Sequence, residues 1–162
     1  MNSRQLIAKP ATIKDAKILF NWVNESKVRQ NSFNQDKITW KEHLTWLKKN
    51  LEDKNINLYI ATDKHNNPRG MFRIDVKGKK GFVNLSLDRN YRGQGLGNQV
   101  IKLIIQVAQK IHLRYLVAQV KKQNQVSAKL FINHHFKIIK SGIKNQAEYL
   151  ELIRKNLISV KK

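Results

Sequence analysis

Residues 92–97 read Arg-Gly-Gln-Gly-Leu-Gly, directly after an apolar run at 82–87 and before an apolar helical pattern that extends to about residue 111. Glycines at alternate positions let the backbone curl where other residues cannot, so this segment must be a tight strand-to-helix turn. The N–H groups of such a turn and the positive end of the following helix converge on one point, as an anion such as a phosphate requires. The spacing is neither the dinucleotide fingerprint G-x-G-x-x-G nor a Walker loop with its Lys-Ser/Thr ending. A pyrophosphate fits, and a turn that holds no ligand is the other reading the loop alone allows.

Around this turn the chain alternates helical and extended patterns, so the fold class is α/β (α+β). A short strand at 6–8 precedes Thr12 and Asp15, whose spacing resembles a capping arrangement. It opens a helix through Ile18, Leu19, Trp22 and Val23 that ends near Asn24. A polar bridge follows at 25–38. Thr39 then starts an amphipathic helix, with Trp40, Leu44, Leu47 and Leu51 at helical spacing and Trp40 expected in the core. Runs at 58–61, 71–76 and 82–87, separated by turns at Asn66-Asn67-Pro68 and 78–81, predict three antiparallel strands. The helix at 97–111 leads to a buried strand at 115–120, a helix at 124–134 and two closing strands at 136–140 and 148–153. No repeat or linker divides the chain, so one domain over residues 1–162 is expected.

Composition narrows the function. Lys and Arg number 32 against 11 acidic residues, a formal charge of +21, which favours an anionic partner. A coding bias toward Lys, Asn and Ile gives the same count. No basic stripe interleaves with aromatics and no helix-turn-helix or zinc spacing is present, so a nucleic-acid-binding module is the weakest reading. With no cysteine, disulfides, thiolate metal sites and a cysteine nucleophile are excluded, and no metal is expected. The start, MNSRQLIAKP, lacks a signal peptide's apolar core, and no run approaches the ~18 apolar residues that span a bilayer. A cytoplasmic protein with no membrane partner is the expectation.

Arg92-x-x-Gly95-x-Gly97 after an apolar strand resembles the acetyl-CoA pyrophosphate loop of the GNAT superfamily of N-acetyltransferases. Asn124, Ser127, Leu130, Phe131 and Phe136 after the strand at 115–120 resemble the family's N-x-x-S/A-x-x-x-F/Y-x-x-x-G-F segment, and the order of elements matches from about residue 5 to 140. The resemblance implies the GNAT fold, a mixed central sheet of about six to seven strands flanked by about four helices. It implies acetyl-CoA as acetyl donor. Residues 20–47 are similar to the start of bacterial acetyltransferases acting on nucleotide-linked amino sugars in pseudaminic- and legionaminic-acid type pathways, through Trp22, Asn24, Val28, Arg29, Asn31, Ser32, Phe33, Ile38, Trp40, His43 and Trp46. A nucleotide amino sugar is therefore the implied acceptor. The alternative acceptor is a protein N-terminus, as in ribosomal-protein acetyltransferases, and a homodimer is left open.

Acetyl transfer needs a neutral amine, a held thioester carbonyl and stabilisation of the developing oxyanion. The resemblance assigns the donor to Arg92, Gly93, Gln94, Gly95, Leu96, Gly97 and Asn98 in the loop, and to Asn124, Ser127 and Phe131. The N–H groups along 85–87, those of Leu85 and Leu87 among them, are candidates for the pantetheine arm where the strand splays from its neighbour. Asn31, Ser32, Phe33 and Trp46 are the acceptor candidates. Without cysteine, direct attack in a ternary complex replaces an acetyl-enzyme intermediate. Where relatives place a Glu and a Tyr this chain has Phe82 and Phe131, His135 replaces the Gly of the Gly-Phe pair, and Val23 stands where relatives often have Arg. The acid and base are therefore open. His43, titrating near ~6.5 when unperturbed, is the candidate base, and its place on an apolar helix face equally suits a core histidine. Glu42 reads as a surface charge. His134 is either a substitute acid or a solvated helix end.

Overall fold

The computed structural model describes residues 5–156. Strand β1 (Ile7–Pro10) leads to a capping box in which the N–H of Thr12 donates to Asp15 Oδ2 at 2.7 Å and the hydroxyl accepts from the N–H of Lys14. The box opens a 3-10 turn (Ile13–Asp15) continuous with helix α1 (Ala16–Val23). The polar bridge holds a short helix, α2 (Ser26–Asn31), that no periodicity announces, because none of its residues is buried. It is fixed from outside the helix ladder. Arg29 donates to the carbonyls of Val23 (2.6 Å), Asn34 (3.1 Å) and Asp36 (3.2 Å), and Asn24 and Ile38 exchange two 2.8 Å bonds that close the loop. A second capping box, Thr39 with Glu42, starts α3 (Trp40–Glu52). Glu42 is exposed and closes the box from the third helical position, accepting from the N–H of the Thr39 cap.

Seven strands form one sheet in the order β1-β2-β3-β4-β5-β7-β6, with β2 (Ile56–Thr62), β3 (Pro68–Lys77), β4 (Lys80–Leu87), β5 (Tyr115–Lys121), β6 (Lys137–Lys144) and β7 (Ala147–Lys155). Only β4 and β5 pair in parallel, and helix α4 (Leu96–Lys110) is the crossover between them, as parallel strands require. Helix α5 (Gln125–Asn133) follows β5. The mixed sheet agrees with expectation, and the helices number five where about four were expected, the addition being α2.

Strand alternation divides the core. Phe72 and Ile74 of β3 join Val100, Ile101 and Ile104 of α4 with Leu116 and Leu152 on one face, all at 0% exposure. On the other face Leu19 and Trp22 of α1 and Leu47 of α3 cover Leu58 and Ile60 of β2. Trp40 lies outside this packing. It is 42% exposed, because the buried stripe of α3 is His43, Leu47 and Asn50, rotated from the Trp40-Leu44-Leu51 stripe toward the surface that α1 and β2 offer. The Trp40 ring instead meets the Phe20 ring edge-on at 5.1 Å.

The closing turn of α5 explains a sequence motif. Phe136 N–H donates to Phe131 O and His135 N–H to Ile132 O, the bond pair of a Schellman cap, with the two phenyl rings 5.0 Å apart. His135 holds the left-handed position of that cap at φ 65°.

Candidate functional site

The parallel pairing of β4 and β5 lasts three residues, Lys80 with Tyr115, Gly81 with Leu116 and Phe82 with Val117. Beyond it β4 runs on to Leu87 and β5 to Lys121 with no ladder between them, so the sheet opens as a wedge. The direction of the freed groups follows from alternation along a strand. Asp88 N–H donates to Arg69 O on the β3 side, whereas Lys79 O accepts from Tyr115 N–H on the β5 side. The β3–β4 register has no shift. The N–H groups of Leu85 and Leu87 therefore point into the wedge, where sequence placed them, and so do the backbones of Gln119 and Lys121 across it. An extended amide-bearing chain can bond to both walls as an added strand does.

The glycine loop lies at the top of this wedge. Gly93 and Gly95 take φ 73° and 78°, and Gly95 is the N-cap of α4. Gly97 serves a different purpose: it is helical, and a Cβ there would stand 3.0 Å from Leu130 Cδ2 of α5. Asn98 N–H bonds to Gly95 O at 3.2 Å, while the N–H groups of residues 93–97 have no partner among the described residues. Leu96 is buried in the core and pins the helix start. Gln94 Nε2 bonds to Asn90 O.

Arg92 departs from expectation at its side chain. The guanidinium forms a bidentate pair with Glu25, 67 residues upstream, and donates to Leu87 O at 2.9 and 3.1 Å. It is a clamp that holds the loop and leaves no free fork for an anion. Trp22 adds a second clamp, its Nε1 donating to Asp88 Oδ2 at 2.9 Å. Although desolvation opposes it, bonds from Trp22 and the Asn90 N–H, with nearby Arg92 and Arg89, hold the Asp88 carboxyl below its ordinary range. No local pattern signals Glu25; its partner is known only once α2 is folded.

The remaining donor candidates cluster beside the loop. Asn124 caps α5, Oδ1 accepting from Ser127 N–H at 3.3 Å, which leaves its amide nitrogen for a ligand. Ser127 is half-buried. Phe131 is 3% exposed and supports the cap from within the core. Asn98 Oδ1 accepts from His134 Nε2 at 3.0 Å. Desolvation, then Lys102, Arg154 and His135, push the His134 imidazole below its ordinary range.

The opposite face of the sheet is open at its centre. Phe82, Asn84 and Ser86 of β4 project there, and Asn84 is exposed although it lies in an interior strand. One rim carries Trp46, stacked on His43 at 5.8 Å with the Arg73 guanidinium 5.6 Å from its ring. The other carries Phe33, edge-on to Tyr149 of β7 at 5.9 Å, with Lys144 Nζ 4.8 Å from its ring. The structure therefore does not join Trp46 to residues 31–33; it sets them on opposite sides of a trough. Asn31 ends α2, half-buried. Ser32 is committed within the loop, Oγ donating to Val28 O and accepting from Arg29. An open cavity of about 510 Å³ lies past the end of β5, lined by Gln35, Lys121, Lys122, Gln123, Gln146, Ala147 and Glu148.

His43 meets the core reading of its two. It is 2% exposed, its Nε2–H donates to Ala16 O at 2.8 Å, and Phe20, Trp40 and Trp46 enclose the ring. Burial holds the imidazole below its ordinary range against the bond to Ala16. The ring is enclosed and its Nε2 is committed to Ala16, a placement that suits the core reading better than the base role.

The sequence matches the acetyltransferase (GNAT) domain family over residues 5–137. Among curated proteins it is similar to YwnH of Bacillus subtilis (strain 168), provisionally named a phosphinothricin acetyltransferase, at 25% identity over 105 residues. That alignment covers 61% of this chain and 63% of YwnH, so the chain spans less than two thirds of its curated relative. Among solved structures, spermidine N-acetyltransferase from Vibrio cholerae, in complex with CoA and spermine, superposes with a TM-score of 0.86 at 12% identity, over 94% of this chain and 96% of that one. Aminoglycoside acetyltransferase AAC(6')-Ib in complex with coenzyme A gives 0.80 at 12% identity, over 93% and 95%. Likeness at such identities speaks for the fold, and the family match speaks for descent. The chain belongs to the GNAT acetyltransferase family.

Proposed function

We propose that this chain is an acetyl-CoA-dependent N-acetyltransferase that acetylates the amino group of a nucleotide-linked amino sugar by direct attack in a ternary complex. The observation that carries the reading is the β4–β5 wedge opening beside five uncommitted amides at residues 93–97. The donor fits these residues: the loop amides and the positive end of α4 would hold its diphosphate. Leu85, Leu87 and Gln119 would take the amides of the pantetheine arm. Acetyl-CoA supplies the acyl group as a thioester whose thiol, with a pKa of roughly 8.5, leaves readily as thiolate. The protein's task is to align the two substrates, exclude water and receive a proton.

The acceptor reading draws on the trough. Phe33 offers a flat face beside Tyr149 with Lys144 over the ring, an arrangement suited to a sugar or base. Lys122, exposed and paired with Glu148 at 3.0 Å, lines the adjoining cavity three strand residues beyond Gln119, about 10 Å, within reach of an anionic group carried by the acceptor. A screen of uridine-diphosphate amino sugars, spermidine, an aminoglycoside and N-terminal peptides, read by free-thiol release, tests this. The expected result is a kcat/KM for the nucleotide sugar at least 10-fold above the others. Peptides turned over faster than every small amine would reverse the acceptor assignment.

A further inference from the structure

We propose that Glu151 is the carboxylate that receives the proton of the attacking amine. The inference rests on the N-acetyltransferase reading above and adds the group that β4 lacks, since Phe82, Asn84 and Ser86 bring no titratable side chain to the trough. Of the 11 acidic residues most have structural partners. Glu25, Asp63, Asp75 and Glu148 each pair with an Arg or Lys, and Asp15 and Glu42 close capping boxes. Glu151 differs. It is half-buried on an interior strand, and its carboxylate is held by a neutral group, Gln119 Nε2 donating to its Oε2 at 2.8 Å.

Its location matches the chemistry. Gln119 lies two residues past Val117, the last residue of β5 paired with β4, so it stands at the mouth of the wedge. Glu151 is directly opposite it on β7, one strand spacing of about 4.8 Å away. The other end of the same amide accepts from Lys144 Nζ at 3.4 Å, which fixes the amide's orientation. Oε1 of Glu151 has no partner among the described residues and is free to accept a hydrogen bond. The charged groups facing it are Lys144 and Lys140 of β6, the latter its register partner, and Lys121 two residues along β5.

The step balances. The amine lone pair forms the C–N bond to the acyl carbon, the C–S bond breaks with its electron pair leaving on sulfur, and the nitrogen's proton passes to Glu151 directly or through one water. Positioned general bases contribute about 10²–10⁴-fold. The test is Glu151→Gln, which keeps volume and the bond to Gln119, assayed by thiol release on a uridine-diphosphate amino sugar, spermidine and kanamycin. Expected are a loss of kcat of about 100-fold or more with acetyl-CoA KM within twofold; Glu151→Asp should recover part of the rate. A Glu151→Gln rate within threefold of wild type overturns the proposal alone, as does a loss that merely follows acetyl-CoA affinity. A wild type stabilised by acetyl-CoA that acetylates none of the three overturns the acceptor reading and this proposal with it. Absence of that stabilisation overturns the donor reading beneath both.

Discussion

The proposed donor half of the site and the proposed acceptor half are built from different materials. The donor half is backbone: two left-handed glycines, the first turn of α4 and the unpaired edges of β4 and β5. The acceptor half, on the proposed reading, is side chains from distant segments, Phe33 after α2, Gln119 on β5, Lys144 on β6, Tyr149 and Glu151 on β7. Backbone geometry is insensitive to most substitutions and tightly bound to a few glycines. A side-chain trough can be re-lined one residue at a time without disturbing the wedge, which is how one scaffold can serve different amines.

That contrast is broken most severely at Gly95. A Cβ there meets nothing within 4 Å, yet φ 78° is closed to a β-branched residue, so Gly95→Val must refold the loop. Acetyl-CoA affinity should fall about 100-fold or more, roughly 3 kcal/mol, by calorimetry. Next in size is His43→Ala, which removes a buried ring and leaves the Ala16 carbonyl unpaired, at a cost of about 2–4 kcal/mol in denaturant unfolding. Its kcat should stay within threefold of wild type at temperatures where it is folded.

The same residue gives a pH signature. His43 has a lower pKa folded than unfolded, so the unfolded chain takes up the proton first. Its contribution is complete above about pH 6.5 and is lost as pH falls toward the folded value. His134 acts with the same sign. Unfolding free energy measured from pH 8 to 5 should decline less steeply in His43→Ala than in wild type. On the acceptor side alone, Phe33→Ala should raise acceptor KM about 10-fold and leave acetyl-CoA KM unchanged; a matching rise in both would erase the division into halves. The smallest effect is expected at His135, where Gly relieves a left-handed φ of 65° and should stabilise the fold by about 1 kcal/mol in the same unfolding assay.

The division also describes what could be read before the fold was known. The capping arrangement at Thr12 and Asp15, the helix start at Thr39 and the glycine loop are local, because a cap and a positive φ are set within a few residues; that Glu42 closes a box is seen only in the structure, and the wedge at Leu85 and Leu87 follows from the family resemblance and a β4–β5 pairing that spans distant segments. Arg92 carried a recognisable pattern, but its side chain answers to Glu25, a contact that exists only when α2 folds against the loop. Helix α2 escaped because Arg29 and Asn24 hold it through carbonyls instead of an apolar stripe. Trp40 lies one helical face from its expected place, since the pattern allows two and α1 with β2 select the other. Glu151 gave no signal, because a lone carboxylate on an alternating strand resembles any solvated charge until Gln119 is seen across from it.

The central claim is that the amides of residues 93–97 and of Leu85 and Leu87 receive the acetyl donor. Amide hydrogen exchange with and without saturating acetyl-CoA addresses it residue by residue. Slowed exchange at those seven amides, with residues 121–123 unchanged, is the result this account requires. Exchange at 93–97 that does not respond while other amides become protected would contradict it.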